Sequence, residues 1–108
     1  MRKPMQHDLD TSHEGALWRR AARCARRGEH RKAALAMREA VALDPTAANY
    51  CRLGSMLDRA GRRSESVQAL KQSLFLFRQD DKPGRARTVA RMILALDPQD
   101  RTASRCAA

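Results

Sequence analysis

Apolar residues recur along this chain at the i, i+3, i+4, i+7 spacing of amphipathic helices, in five stretches separated by Gly, Pro and Asp. The spacing predicts helices over 12–27, 29–43, 47–60, 62–79 and 83–96. In the first, Leu17, Ala21, Cys24 and Ala25 share one arc, while Arg19, Arg20, Arg23, Arg26 and Arg27 fill the opposite one. The second turns Ala33, Met37, Ala40, Val41 and Leu43 to a core, and the third Tyr50, Leu53, Gly54, Met56 and Leu57. In the fourth, Val67, Leu70, Leu74 and Phe77 form the main stripe, with Phe75 and Leu76 widening the apolar arc. The fifth carries Ala86, Val89, Ala90, Ile93 and Leu96. The fold class expected is all-α.

The punctuation agrees with these bounds. Thr11-Ser12-His13-Glu14 reads as a capping box, Thr11 serving the first turn and Glu14 reaching back. Gly28 and Gly61 supply left-handed stops, and Glu29 places an acid at the positive end of the second helix. Asp44-Pro45-Thr46 ends one helix and caps the next, and Asp80-Asp81-Lys82-Pro83-Gly84 breaks the fourth. Residues 1–11 have no periodicity and read as a disordered leader. Residues 12–98 form one helical domain, and 99–108 a short, polar, flexible tail.

Gly28 and Gly61 are 33 residues apart, and laying residue 14 over residue 47 pairs Leu17 with Tyr50, Ala21 with Gly54, Arg26 with Arg59, Met37 with Leu70 and Leu43 with Leu76. Paired helices at that period describe a helical-repeat solenoid. Ala42-Leu43-Asp44-Pro45 returns as Ala95-Leu96-Asp97-Pro98 after 53 residues, one period plus 20, so a third unit lacks one helix. The architecture expected is two helical hairpins and a closing fifth helix.

These residues resemble the tetratricopeptide repeat over 14–98. In the second unit Tyr50, Leu53, Gly54, Leu57, Gly61, Ser66, Leu70 and Ser73 match its large and small positions; in the first, Leu17, Ala21, Gly28, Ala33, Met37, Ala40 and Leu43-Asp44-Pro45 do. The resemblance implies that first helices line a concave groove. Its floor would hold Gly15, Trp18, Ala22, Ala25 and Arg26 from one unit and Ala48, Cys51, Arg52, Ser55 and Arg59 from the next. Members that clamp a C-terminal carboxylate use lysine and asparagine at groove positions occupied here by Trp18 and Ala22. Small bacterial secretion chaperones and assembly factors are built from similar repeats.

Composition narrows the function. The 108 residues carry 22 Lys and Arg against 12 Asp and Glu, a formal charge of +10, which favours acidic partners. Alanine and arginine enrichment also fits a bacterial GC-rich genome. The five arginines of the first helix are either a nucleic-acid stripe or a solvated face, and no aromatic residues interleave with them for base stacking. Cys24, Cys51 and Cys106 form no close pair and read as reduced core fillers. His7, His13 and His30 share no ligand spacing, so neither metal nor cofactor is expected. Nucleophile, base and orienting acid cannot be assembled, and no glycine-rich phosphate loop is present, which excludes an enzyme. No run approaches the roughly 18 apolar residues of a membrane helix, and the N-terminus lacks a signal core, so a cytoplasmic protein is expected.

The expected function is therefore a protein-interaction module, an adaptor, assembly factor or chaperone that takes a partner's acidic peptide or helix in a basic groove of Trp18, Ala22, Arg26, Cys51, Arg52, Ser55 and Arg59. The alternative is a nucleic-acid-binding helical protein. Trp18 is either an anchor for that partner or a packing residue. Phe75 and Leu76 are expected to form an assembly interface, since two and a half units bury little and a homodimer or obligate complex would cover the open apolar surface.

Overall fold

In a computed structural model that describes residues 13–108, the chain forms six helices: α1 His13–Arg26, α2 His30–Leu43, α3 Ala47–Arg59, α4 Arg63–Gln79, α5 Pro83–Leu96 and α6 Arg101–Ala107. Among the described residues there is no strand. The leader at 1–11 and the Thr11–Glu14 capping box lie outside the described residues or side chains. Each helix packs chiefly on its neighbours in the chain. The described residues extend 46 × 33 × 19 Å, the short dimension being about two helix diameters.

Three of the turns share one geometry. Gly28 has φ +77°, Gly61 +79° and Asp81 +56°. In each, the next N–H reaches back to a carbonyl of the last helical turn: Glu29 to Cys24 at 2.8 Å, Arg62 to Leu57 at 2.9 Å and Lys82 to Phe77 at 2.9 Å. This is the Schellman closure of a helix, and aspartate is among the few side chains that tolerate the left-handed residue it needs. The α2 and α5 C-termini form a second matching set. Asp44 and Asp97 donate their N–H groups to Ala40 and Ile93 before the following proline ends the helix. Pro83 occupies the first position of α5, where its fixed φ suits the helix and no N–H is missed.

Two buried clusters meet between α3 and α4. The first joins Leu17, Ala21, Met37, Ala40, Leu53 and Leu57 with Ala69 of α4; the second joins Leu70, Leu74, Phe77, Val89, Ala90 and Ile93 with Ala47 of α3. Gly54 sits where these helices cross most closely. A Cβ there would lie 2.6 Å from Leu70 Cδ2. The fully buried hydroxyls of Ser66 and Ser73 donate to the carbonyls of Gly54 at 2.6 Å and Ala47 at 2.7 Å. They stand seven positions apart, two helical turns, so they form two bolts on one face of α4.

The sequence expectations need three corrections. Residues 99–108 are not a flexible tail: Asp100 accepts the Ala103 N–H at 2.8 Å, capping α6, and Ala103 is fully buried while Cys106 and Ala107 pack on the second cluster. The helical domain thus continues past residue 98 and has a sixth helix rather than ending at the fifth. Leu43, expected on the core face, is 55% exposed, because it is the last residue of α2 and the chain turns away at Asp44. Leu96, at the matching place on α5, is half-buried in the cluster that α6 joins.

Candidate functional site

Two side-chain contacts link alternate helices, Trp18 of α1 with Arg52 of α3 and Cys51 of α3 with Met92 of α5. On α1, Trp18 is 38% exposed, and the Arg52 guanidinium from α3 lies over its ring, 5.2 Å from the centroid. That separation is within cation–π range. On the other flank of α3, Cys51 Sγ lies 4.0 Å from Met92 Sδ of α5.

Arg52 is held from behind as well. Its Nη1 donates to Asn49 Oδ1 at 2.7 Å, and Asn49 Nδ2 donates to the Asp44 carbonyl at 2.9 Å. Asn49 is only 2% exposed, so its amide carries these bonds in a site that would penalise unmet polar atoms. The local cause is the α3 N-terminus. Thr46 caps it by accepting the Asn49 N–H at 3.2 Å, which sets Asn49 one turn in, beside the α2–α3 corner and one turn before Arg52.

The other predicted groove residues are less concentrated. Ala22 and Ser55 are half-buried, and Arg26 and Arg59 are exposed. Arg59 lines a shallow depression of about 400 Å³ with Gly28, Glu29, His30, Arg31, Lys32 and Ala60, which puts it at the α1–α2 turn. The structure therefore brings Trp18 and Arg52 into contact, with Cys51 beside Arg52 along α3, and sets Arg59 apart. Burial pushes the Cys51 thiol up, with the Arg52 charge opposing, so it stays protonated at neutral pH. Cys24, Cys51 and Cys106 are free thiols.

Phe75 is 55% exposed on α4, as its position off the main stripe implies, but Leu76 packs inward on the second cluster. Successive helical residues point about 100° apart, so the two do not make one exposed patch. Ion pairs tie α4 to α2 and to the α5–α6 turn. Glu65 of α4 receives Arg62 at 2.7 Å and Arg38 of α2 at 3.1 Å, and Lys71 of α4 meets Asp100 at 2.9 Å.

Asn49 is the member of this cluster that the sequence pattern did not single out. Its signals were its place three residues after a capping threonine and three before an arginine, a spacing that stacks side chains on one helix face. No helix among the described residues is long and apolar enough to cross a membrane. Compared with known proteins, the chain matches no family model and no curated protein significantly.

Proposed function

We propose that this chain is a non-catalytic protein-interaction module of the tetratricopeptide type, a solenoid whose α1, α3 and α5 face receives a peptide or helix of another protein. The observation that carries this reading is Trp18, a large aromatic left 38% exposed and clamped under Arg52 on that face. Tryptophan and arginine supply most of the energetic anchors at protein interfaces. The close α3–α4 crossing at Gly54 and the matched turns at Gly28 and Gly61 support the repeat. The basic charge suits an acidic partner segment, and the role is that of a cytoplasmic adaptor, assembly factor or chaperone.

Affinity capture followed by mass spectrometry, run in parallel on variants, tests the reading. Trp18→Ala and Arg52→Ala are expected to lose the partner with helix content unchanged, whereas Arg31→Ala on α2 and Arg78→Ala on α4 keep it. Equal losses from both pairs overturn it. Arg38 and Lys71 are unsuitable controls because they bind Glu65 and Asp100.

A second reading, nucleic-acid binding, draws on the exposure of Arg19, Arg20, Arg23, Arg26 and Arg27 around α1. Phosphate binding would fall steeply with salt and ignore Trp18. The same variants assayed on single-stranded and duplex DNA across ionic strength separate the two.

A further inference from the structure

We infer that Arg52 is a preset receptor for one glutamate or aspartate side chain of the partner, with an apolar neighbour of that acid resting on Trp18. The inference rests on the interaction-module reading and names the chemistry its groove takes. A free arginine samples many rotamers and gives up that freedom on binding. Here the freedom is already gone. The ring of Trp18 lies under the guanidinium at 5.2 Å, and the buried Asn49 amide, itself tied to the Asp44 carbonyl, holds Nη1 at 2.7 Å. A guanidinium has five N–H donors in a planar fork that matches a carboxylate in two parallel bonds. With one nitrogen on Asn49 and one face on an indole, it is left to meet a carboxylate edge-on from solvent, where Arg52 is exposed.

The placement argues for a side chain rather than a chain terminus. Arg52 is in the middle of α3 and is flanked by α1 through Trp18, while the preceding residue, Cys51, reaches α5. A segment can therefore continue past it on both sides, so an acid within a chain fits. The indole edge beside the charge favours an aliphatic or aromatic residue next to that acid, because the amphipathic surface left on Trp18 is apolar.

The sole tryptophan makes the site its own reporter. Titrate the full chain, following Trp18 fluorescence, with three peptides: Leu-Glu-Leu acetylated and amidated, Leu-Gln-Leu acetylated and amidated, and acetylated Leu-Gln-Leu with a free C-terminal carboxylate. The glutamate amide is expected to saturate in the millimolar range, with both glutamine peptides about tenfold weaker, as loss of a charge-assisted pair implies. Arg52→Lys, which keeps the charge and loses the fork, is expected to bind the glutamate peptide no better than the glutamine one. Asn49→Ala should weaken glutamate binding with circular dichroism unchanged; should that variant unfold, Arg52→Lys at its exposed site still decides.

Equal binding of the two amides overturns the inference, as does no response to any peptide. Equal binding of the glutamate amide and the free-terminus peptide overturns the side-chain assignment. A captured partner that needs Trp18 but ignores Arg52→Lys refutes this inference and leaves the groove standing. A partner indifferent to Trp18→Ala removes the groove itself.

Discussion

Adding one methyl group at Gly54 tests the packing that joins the two halves. The new Cβ would sit 2.6 Å from Leu70 Cδ2, 2.7 Å from Leu70 Cγ and 3.4 Å from the Ser66 carbonyl oxygen. Leu70 cannot swing clear, because it is 1% exposed and its branch carbon, not only its tip, is in the way. The helices would have to separate, stretching the 2.6 Å bond from Ser66 Oγ to the Gly54 carbonyl. Overpacking of this kind costs about 1–3 kcal/mol. Alanine in place of glycine within a helix returns about 1 kcal/mol. The net loss is then about 0–2 kcal/mol, and thermal unfolding followed by circular dichroism should show Tm lowered by up to roughly 15 °C for a domain of this size. Gly84→Ala is the matched control. Nothing lies within 4 Å of its Cβ, so it should gain about 0.5–1 kcal/mol. A double-mutant cycle with Ser66→Ala should show coupling, since the two residues touch. A Gly54→Ala protein that gains stability as the unobstructed Gly84→Ala does would refute the close crossing.

Two further perturbations follow. The Ala103 N–H and the Lys71 ammonium hold the Asp100 carboxyl below the usual carboxylate range, so its stabilisation is complete above the unfolded value of about 3.9 and is lost as pH falls through the lowered folded value; amide exchange at Ala103 and Ser104 should accelerate there first, and Asp100→Asn should abolish that pH dependence. If the exposed Phe75 seals a homodimer or complex, Phe75→Ala lowers the sedimentation coefficient at micromolar concentration with helix content kept, and a wild-type monomer that the substitution leaves unchanged ends that expectation.

The helices were legible because their signals are local. Apolar spacing and the glycine stops set five of the six spans to within a residue at either end. Gly54 was legible as a small position because the period aligned it with Ala21, two small residues among large ones. The sixth helix was not. Its seven residues are too few to show a period, and its stability comes from burying Ala103 in the second cluster, a contact that only the assembled fold supplies. The same limit hid Asn49. A buried asparagine leaves no hydrophobic signature, and its value lies in the Asp44 carbonyl and Arg52 that the α2–α3 corner gathers around it. Leu76 failed for a related reason: adjacency to Phe75 in the chain is not adjacency on the helix.

If α1, α3 and α5 present the proposed face, the seam between α3 and α4 controls its geometry. Arg52 and Cys51 lie between Asn49 and Gly54 on α3, within one to two turns of both Ser66–Gly54 and Ser73–Ala47 bonds. Trp18 belongs to the first cluster's helix and Met92 to the second's. The distance between them is therefore set by how α3 lies on α4. A hydroxyl-to-carbonyl bond has a narrow working length, unlike apolar contact, which tolerates sliding. Ser66 and Ser73 thus fix a register that leucines alone would leave loose. On the proposed function, substitutions at the seam should change partner affinity without touching the face. Gly54→Ala is then expected to shift Trp18 fluorescence in the folded state as well as lower Tm. A lowered Tm with an unaltered tryptophan spectrum would show that the two halves move independently and that the face does not depend on the seam.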